Sequence, residues 1–456
     1  MKRILFSLLI IVTGCAVGPK YKRPETGKPE GYTQSAVRVD SITNMKWWQV
    51  YKDTVLQSLI RTGVDKNLEL KTAISRVDEA RAILGFNKTN MLPFIDYSGR
   101  ARATDFRDIS NQAGVAFPNN SLSALGNVSW EIDLWGKLRH ANRAAMADLI
   151  ATEEDRKSMY ISLVSQIAEL YFQLRGLDDR LTTTRRTNAT RMEYFKIISL
   201  RFEKGQASEL DKLQAEQIAV SSEAQLYALE REIIATENAI NVLLGRPYAP
   251  IPRGQLNDAQ QLPPDIPSGL PSALLERRPD IRSAEQQLIA QTERVGIAVA
   301  MKFPTLSLTG FLGVASPELS TMFKPEAVLG SITGQLAGPA FRFGQNKRRV
   351  EAERARSMQV GYQYELTIIT AFAEVENSLA EIRTFRNEFT SRQAQANAAQ
   401  KSLTLSRALY DNGYASFLQV LDAERQYLDS EYARSIALQN QLIATARLYK
   451  ALGGGW

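Results

Sequence analysis

From Ser121 to Leu134 the chain alternates. Leu122, Ala124, Gly126, Val128, Trp130, Ile132 and Leu134 fall on one side of an extended ribbon, and Ser123, Asn127, Ser129, Glu131 and Asp133 on the other, with Leu125 the exception. Pro304 to Val314 sets Leu306, Leu308, Leu312 and Val314 against Thr305, Ser307 and Thr309. Val328 to Gly338 sets Val328, Ile332 and Leu336 against Ser331, Thr333 and Gln335. Phe94 to Phe106 follows less cleanly, with Asp96, Ser98, Arg100, Arg102 and Thr104 opposite Ile95, Tyr97, Ala101 and Ala103. A period of two over about ten residues predicts four β-strands with the pattern of a transmembrane barrel, apolar side chains to lipid and polar ones to a wet lumen. The alternative is a pair of hairpins on a soluble core.

Between the strands the period lengthens. Leu163, Ile167, Leu170, Leu174, Leu177 and Leu181 step by four, three, four, three and four, which is a heptad seam. Adding 208 to each number gives Ala371, Val375, Ser378, Ile382, Phe385 and Phe389. No proline interrupts Gly136 to Gly205 or Gly344 to Gly413. At 1.5 Å per residue these tracts predict helices of roughly 100 Å, which need lateral partners to hold one geometry. Shorter helical patterns, Asn67 to Asn90 and Pro279 to Met301, precede each pair of strands.

The offset recurs at landmark glycines: Gly136 and Gly344, Gly205 and Gly413, Gly245 and Gly453 are all 208 apart, and Pro93 and Pro304 are 211 apart. The chain therefore reads as one unit written twice. The expected organisation is a signal over 1–14, an N-terminal segment over 15–65, a first repeat over 66–245, a Pro-rich crossover over 246–271 and a second repeat over 272–456. Gly205 and Gly413 are expected to end the long helices in the left-handed conformation. Ser208 to Asp211 and Ser416 to Gln419 then read as capping boxes for the return helices.

Four strands cannot close a barrel, because small barrels start at about eight. An open sheet in lipid would leave its edge hydrogen bonds unmade, at several kcal/mol each. Several chains must pool their strands, two giving eight or three giving twelve. Trp130 and Trp135, at the end of a strand, fit an interfacial aromatic girdle.

The N-terminus adds a membrane address. Lys2 and Arg3 precede an apolar run from Ile4 to Val12 that is too short to span a bilayer, then Thr13, Gly14 and the sole cysteine, Cys15. The arrangement resembles a bacterial lipobox, with cleavage before Cys15 and acylation of its thiol; an ordinary signal peptide with an incidental cysteine is the alternative. Ala16 is not the aspartate associated with inner-membrane retention, which favours the outer membrane.

Composition excludes more than it assigns. With one cysteine and one histidine, His140, there is no internal disulfide and no Cys/His metal set. The nine methionines are dispersed, so no metal site is expected. The net charge of +7 comes from lysines and arginines scattered among acids, which reads as solvated helix faces and not as a nucleic-acid patch. There is no serine nucleophile tract and no glycine-rich phosphate loop, and His140 lies on a strongly polar helical stretch, so no enzyme and no cofactor are expected beyond a covalent lipid on Cys15. Trp47 and Trp48 read as core packing.

The tracts GCAVGPKYKRP, MKWWQVYKD, NLELKTAISRVDEARA, WEIDLWGKLR, DLIATEEDR, LLERRPDIRSAE, FPTLSLTG, RALYDNGYASFLQVLDAER and TARLYKALGGGW together resemble the TolC family of outer-membrane factors, in the lipoprotein branch that serves resistance-nodulation-division efflux pumps. The resemblance covers essentially the whole mature chain. It implies a mainly α protein with membrane β: a homotrimer with a twelve-stranded outer-membrane barrel, a periplasmic α-helical tunnel of long antiparallel helices, and a mixed equatorial belt. It implies a passive exit duct that works with a periplasmic adaptor and an inner-membrane transporter, and no nucleic acid. It also places Asp211, Tyr410 and Asp422 at positions where residues of the helical tips hold the tunnel shut. Two positions depart from the family pattern. Ala415 stands where a gating arginine can stand, and Gln419 where an aspartate ring can sit. A duct for type I protein secretion is the rival within the class; a lipid-anchored periplasmic coiled-coil scaffold is the rival outside it. The exported substrate is not written in the pattern.

Overall fold

The computed structural model describes residues 16–25, 51–103, 120–260 and 276–454. The signal, Cys15, Trp47, Trp48, residues 104–106 of the first strand tract and residues 261–271 of the crossover lie outside the described residues.

The helices are α1 (Thr54–Lys66), α2 (Leu68–Thr89), α3 (Lys137–Glu203), α4 (Glu209–Leu243), α5 (Pro279–Ala300), α6 (Gln345–Asp411) and α7 (Phe417–Ala451). The strands are β1 (Phe94–Ala103), β2 (Asn120–Ile132), β3 (Thr305–Ser316) and β4 (Val328–Ala337). The duplication is kept to the residue. α3 and α6 start at 137 and 345 and end at 203 and 411, and α4 and α7 run from 209 and 417 to 243 and 451, all differing by 208. α2 and α5 differ by 211 at both ends. The punctuating glycines share a conformation as well as an offset. Gly136 and Gly344 have φ of 83° and 82°, Gly205 and Gly413 of 72° and 77°, and Gly245 and Gly453 of 62° and 85°. At each of the last four, two backbone bonds close the helix end, as Gln206 N–H to Arg201 C=O at 2.7 Å and Gly205 N–H to Phe202 C=O at 2.9 Å do for α3. This is a Schellman motif, and it requires the positive φ that glycine adopts without strain.

In space the chain forms two compact units, and each draws segments from both repeats. The first gathers residues up to 26, 76–153 and 283–366. It holds the whole sheet, an antiparallel meander in the order β1-β2-β3-β4. The register pairs Ile95 with Val128, Val128 with Gly310 and Gly310 with Ile332. It also aligns Tyr97, Gly126, Leu312 and Gly330 across the four strands. In these rows one face is apolar from edge to edge, while Asn120 and Ser316 fall at its far end, and the other face carries Asp96, Asn127, Phe311 and Ser331 in one row and Ser98, Leu125, Gly313 and Leu329 in the next. Leu125 keeps its exceptional place on the polar face. The strands run slightly differently from the sequence tracts: β2 stops at Ile132, two residues before Leu134, and β3 continues two residues past Val314 to Ser316. In the same unit Val77 and Leu84 of α2 pack on Ala145 and Leu149 of α3. None of the described helices is long and apolar enough to cross a membrane.

The second unit gathers residues 27–75, 154–282 and 367–456. Its core is built on the predicted seam. Leu163, Ile167, Leu174, Leu177 and Leu181 are buried with Leu56 and Ile60 of α1, Leu229, Ile233 and Ile240 of α4 and Leu442 of α7. The copied seam is buried at Ala371, Val375 and Ser378 and half-exposed at Phe385 and Phe389. Asn67 joins α1 to α2: its side-chain N–H donates to Leu243 C=O at 2.9 Å and its Oδ1 accepts from Leu70 N–H at 2.8 Å.

The expectation of solvated charges needs correcting. Glu154, Arg175, Glu237, Arg278 and Glu424 are buried. Each is held by an ion pair: Glu154 by Arg282 at 2.9 Å, Arg175 by Asp178 at 2.7 Å, Glu237 by Arg253, Arg278 by Glu374 at 2.7 Å, and Glu424 by Arg191 at 2.8 Å. A charge leaves water only when a partner replaces its hydration, and apart from Asp178, one turn along α3 from Arg175, these partners come from elsewhere in the fold.

Candidate functional site

The helical tips are built by punctuation. α3 ends at Gly205 and α6 at Gly413, both in the left-handed region, and in neither case would a Cβ meet another group within 4 Å. Backbone conformation alone selects glycine there. Ser208 caps α4: its Oγ accepts from Asp211 N–H at 3.1 Å and donates to Asp211 Oδ2 at 2.8 Å. The Ser208 N–H donates to the same oxygen at 3.2 Å, completing a capping box. At the second tip Ser416 N–H donates to Gln419 Oε1 at 3.1 Å. Asp211 and Gln419 thus do the same structural work at duplicated positions.

Asp422 is exposed on α7, where its oxygens accept from Arg425 at 2.8 Å and Gln426 at 2.6 Å. The bond from the Arg425 guanidinium holds its carboxyl below the ordinary aspartate value. Tyr410 is half-buried and sits beside Phe417 with ring centroids 5.5 Å apart. Its hydroxyl accepts from Arg201 Nη1 at 3.4 Å. Within one protomer the structure therefore gives Asp211 and Asp422 partners on their own helices, and Tyr410 partners across helices.

Sequence reasoning missed the group that joins the two tips. Glu424, 6% exposed, accepts from Arg191 of α3 at 2.8 Å and from Arg407 of α6 at 3.4 Å. The Arg407 guanidinium lies 5.4 Å from the centre of the Tyr194 ring, and Tyr194 leans on Phe417. Burial pushes the Tyr194 hydroxyl above its ordinary pKa. One signal was present in the sequence. Glu424 falls seven residues after Phe417 and four after Val420, a carboxylate on the apolar stripe of its helix.

The base of the sheet is the other constellation. Trp130 Nε1–H donates to Met91 C=O at 3.0 Å, and Trp135 Nε1–H to Pro304 C=O at 2.7 Å. These carbonyls stand just before β1 and β3. The Trp135 ring stacks on Phe303 with centroids 4.7 Å apart. The duplicate of Trp135 is Phe343, which the sequence reading passed over although the offset of 208 points to it. It is 91% exposed, meets Phe341 edge to face at 4.5 Å and adopts a φ of 46°. Val17 N–H donates to Trp135 C=O at 3.1 Å, so the segment following Cys15 is tied to this base. Farther along that segment Tyr21 and Arg23 reach Glu285 of α5 at 2.9 and 2.6 Å.

His140, placed by its neighbours on a polar stretch, is 3% exposed. Its Nδ1 meets Glu293 at 2.5 Å and Arg143 at 2.9 Å, and Gly18 and Gly296 close over the ring. Among the described residues no group of three or more His, Cys, Asp and Glu is arranged to hold a metal ion.

Known proteins supply the frame for both constellations. The sequence profile described as "Outer membrane efflux protein" matches residues 59–246 and 270–454. The chain is 29% identical over 466 residues to the cation efflux system protein CusC of Escherichia coli K12, covering 100% of this chain and 99% of that one. It is 30% identical over 464 residues to the toluene efflux pump outer membrane protein TtgF of Pseudomonas putida, covering 99% and 96%. The crystal structure of the Campylobacter jejuni CmeC outer membrane channel superposes with a TM-score of 0.90 at 27% identity, covering 97% of this chain and 95% of that one. With both halves matched and relatives aligned end to end, this chain belongs to the outer membrane efflux protein family, the outer-membrane channels of efflux systems.

Proposed function

We propose that the protein is the passive exit duct of a tripartite pump, a lipid-anchored homotrimer in the outer membrane that meets a periplasmic adaptor and an inner-membrane transporter of the resistance-nodulation-division type. The observation that carries this reading is the sheet. It has one apolar and one polar face, and among the described residues the outer edges of β1 and β4 pair with no strand. Tyr97 on β1 and Ile332 on β4 are 95% and 82% exposed on the apolar face. Lipid covers such a face, and neighbouring copies satisfy such edges. A soluble scaffold would bury the apolar face against its own chain. The duct performs no chemistry; the transporter supplies energy and selects cargo. CusC is named for cations and TtgF for toluene, so small solutes are the cargo class here, and relatives this different do not narrow it.

The anchor fits the strand base. Cys15 is two residues from Val17, whose N–H is bonded to Trp135, and two residues span at most about 7 Å. An acyl chain there enters lipid beside the indoles of Trp130 and Trp135 and the ring of Phe343, which suit the interface. Outer-membrane fractions are expected to yield a heat-modifiable trimer that carries palmitate and conducts in planar bilayers. Cys15→Ala is expected to lose the label and still assemble, because strands and not the lipid hold the trimer. A detergent-solubilised protein that is strictly monomeric and silent in bilayers would remove the duct reading.

The tips are the proposed gate. Asp422→Ala is expected to raise resting conductance and uptake of large antibiotics while leaving the unfolding midpoint in place, since its partners are on one exposed helix surface. Asp211→Ala should also raise conductance but lose about 1 kcal/mol of helix capping. Asp211→Glu restores a capping acid, so it separates a fraying tip from a lost gate charge. Wild-type conductance and uptake in both alanine variants would reject gating by these two carboxylates.

A further inference from the structure

The polar face of the sheet is not evenly charged along its length. β1 starts at Phe94, next to the base where Trp130 is bonded to Met91, and runs outward to Ala103. Its residues on the polar face are Asp96, Ser98, Arg100 and Arg102. The register sets Arg100 beside Ser123, which in turn faces Ala315, and Arg102 beside Ser121. The row below them is Ser98, Leu125, Gly313 and Leu329. The outer rows of this face therefore carry two guanidiniums and no carboxylate.

The acids lie toward the other end, and most are already neutralised. Glu131 is paired with Lys137 at 2.6 Å and Asp133 with Arg139 at 3.2 Å. Asp96 is four residues from Arg100 along β1, roughly 13 Å, too far for an ion pair. Arg100 and Arg102 are exposed, and among the described residues neither meets an acid or another hydrogen-bond acceptor. The next described acids outward, Glu318 and Glu326, stand on the connection beyond the strand ends, where Lys324 offsets them in part. Glu318 accepts there from Ser320 at 3.2 Å.

Three copies turn this feature of one strand into a ring. Twelve strands about 4.8 Å apart and tilted about 40° enclose a bore with a radius of about 12 Å before side chains are counted. Arg100 and Arg102 then supply guanidiniums at two levels, about 7 Å apart along each β1. The Debye length at physiological salt is about 8 Å, so with long side chains reaching inward the fields overlap across the bore. Low-dielectric walls focus such a field. A guanidinium also binds carboxylate or phosphate through two parallel hydrogen bonds, and here neither arginine is occupied by a protein acid. The face is turned away from lipid, so a dissolved anion and not a lipid headgroup reaches it.

We propose that Arg100 and Arg102 of three copies form an anion-binding collar at the outer end of the lumen, which takes multivalent solutes bearing phosphate or carboxylate groups. This rests on the trimeric duct reading and adds to it the charge class that the exit favours. Rings of arginine or lysine are how pores select anions and phosphates, and the paired acids at the base of these strands do not cancel the outer ring.

The test titrates inositol hexakisphosphate, as a multivalent anionic probe, into the purified full-length trimer in detergent and follows the heat. Saturable binding is expected, with affinity about tenfold lower in Arg100→Gln/Arg102→Gln and severalfold lower when salt is raised from about 50 to about 200 mM. Arg102→Gln alone, at the strand end, should lose about threefold, and Arg100→Lys/Arg102→Lys should stay within about threefold of wild type. All these side chains are exposed, so SDS-resistant trimer should persist in every variant. In planar bilayers the probe should block current from the barrel side, and from the helical-tip side only at roughly tenfold higher concentration. The double glutamine variant should lose the barrel-side block. Equal affinity in wild type and the glutamine variants, or no binding by wild type, would overturn the collar while leaving the duct standing. A detergent-solubilised protein that is monomeric and silent in bilayers would remove the duct reading itself.

Discussion

Glu424→Ala is expected to loosen the helical tips more than any other single change. Glu424 is buried and faces two guanidiniums, Arg191 at 2.8 Å from the first repeat and Arg407 at 3.4 Å from the second. Truncating the carboxylate strands the largely buried Arg191 guanidinium and leaves Arg407, which water reaches in part, with the Tyr194 ring. Breaking a buried ion pair from one side costs about 3–5 kcal/mol, far more than the intact pair contributes over an apolar replacement. The penalty falls where α3, α6 and α7 meet, next to the Tyr194, Tyr410 and Phe417 cluster. The expected readouts are a lower urea midpoint followed by circular dichroism in detergent, new tryptic cuts near residues 190–200 and 405–425, and a raised resting conductance. Glu424→Ala combined with Arg191→Met removes the stranded charge and should recover part of the midpoint. A single variant with an unchanged midpoint and unchanged cutting would show that water reaches the pair and that it does not brace the tips.

Asp53→Ala is expected to release the strap that residues 251–260 form over the second unit. Asp53 is 1% exposed and collects five donors. Oδ1 accepts from Val55 N–H at 2.8 Å and Leu56 N–H at 3.2 Å, which caps α1. Oδ2 accepts from the Tyr171 hydroxyl at 2.8 Å, Gln255 N–H at 2.9 Å and Gln260 Nε2 at 2.8 Å. The Tyr171 hydroxyl accepts in turn from Gly254 N–H at 3.0 Å. Gly254 leaves room for this: a Cβ there would lie 2.4 Å from Asp53 Oδ1. Removing the carboxylate loses a helix cap and strands buried donors, so a loss of at least about 3 kcal/mol is expected. Asp53→Asn separates charge from shape, because its NH2 group must face either the capping N–H groups or the strap donors.

The same residue predicts a pH dependence. Burial pushes the Asp53 carboxyl up, but the bonds from Gln260, Tyr171, Leu56 and Val55 outweigh it and hold the carboxyl below its ordinary value. A carboxyl depressed on folding stabilises the native state at pH values above its unfolded pKa. That contribution fades as pH falls through the folded value, below about pH 4. The wild-type midpoint should therefore drop more steeply than that of Asp53→Asn in this acid range. Parallel acid profiles would mean that Asp53 is not the group responsible.

These two sites show where the sequence stopped being legible. The β-alternation, the heptad seam, the 208-residue offset and the glycine stops were readable because each is a local or periodic pattern. A strand shows its two faces within four residues, and a helix shows its seam within eight. The copied boundaries of α3 and α6, and of α4 and α7, follow from that. The capping work of Asp211 and Gln419 was readable too, since both partners lie within three residues. Buried charge was harder to read. Glu424 and Arg191 are 233 residues apart, and Asp53 and Gln255 are 202 apart. Neither member announces the other.

The sequence by itself determined the elements, their duplication and the two-faced character of the strands, because periodic placement of apolar side chains decides these over a few residues of chain. Only the tertiary structure decided which charges leave water and that His140 is sealed beneath two glycines. The physical reason is desolvation. A charge or an apolar stripe is settled by whatever packs against it, and packing brings together residues that the linear chain keeps hundreds of positions apart.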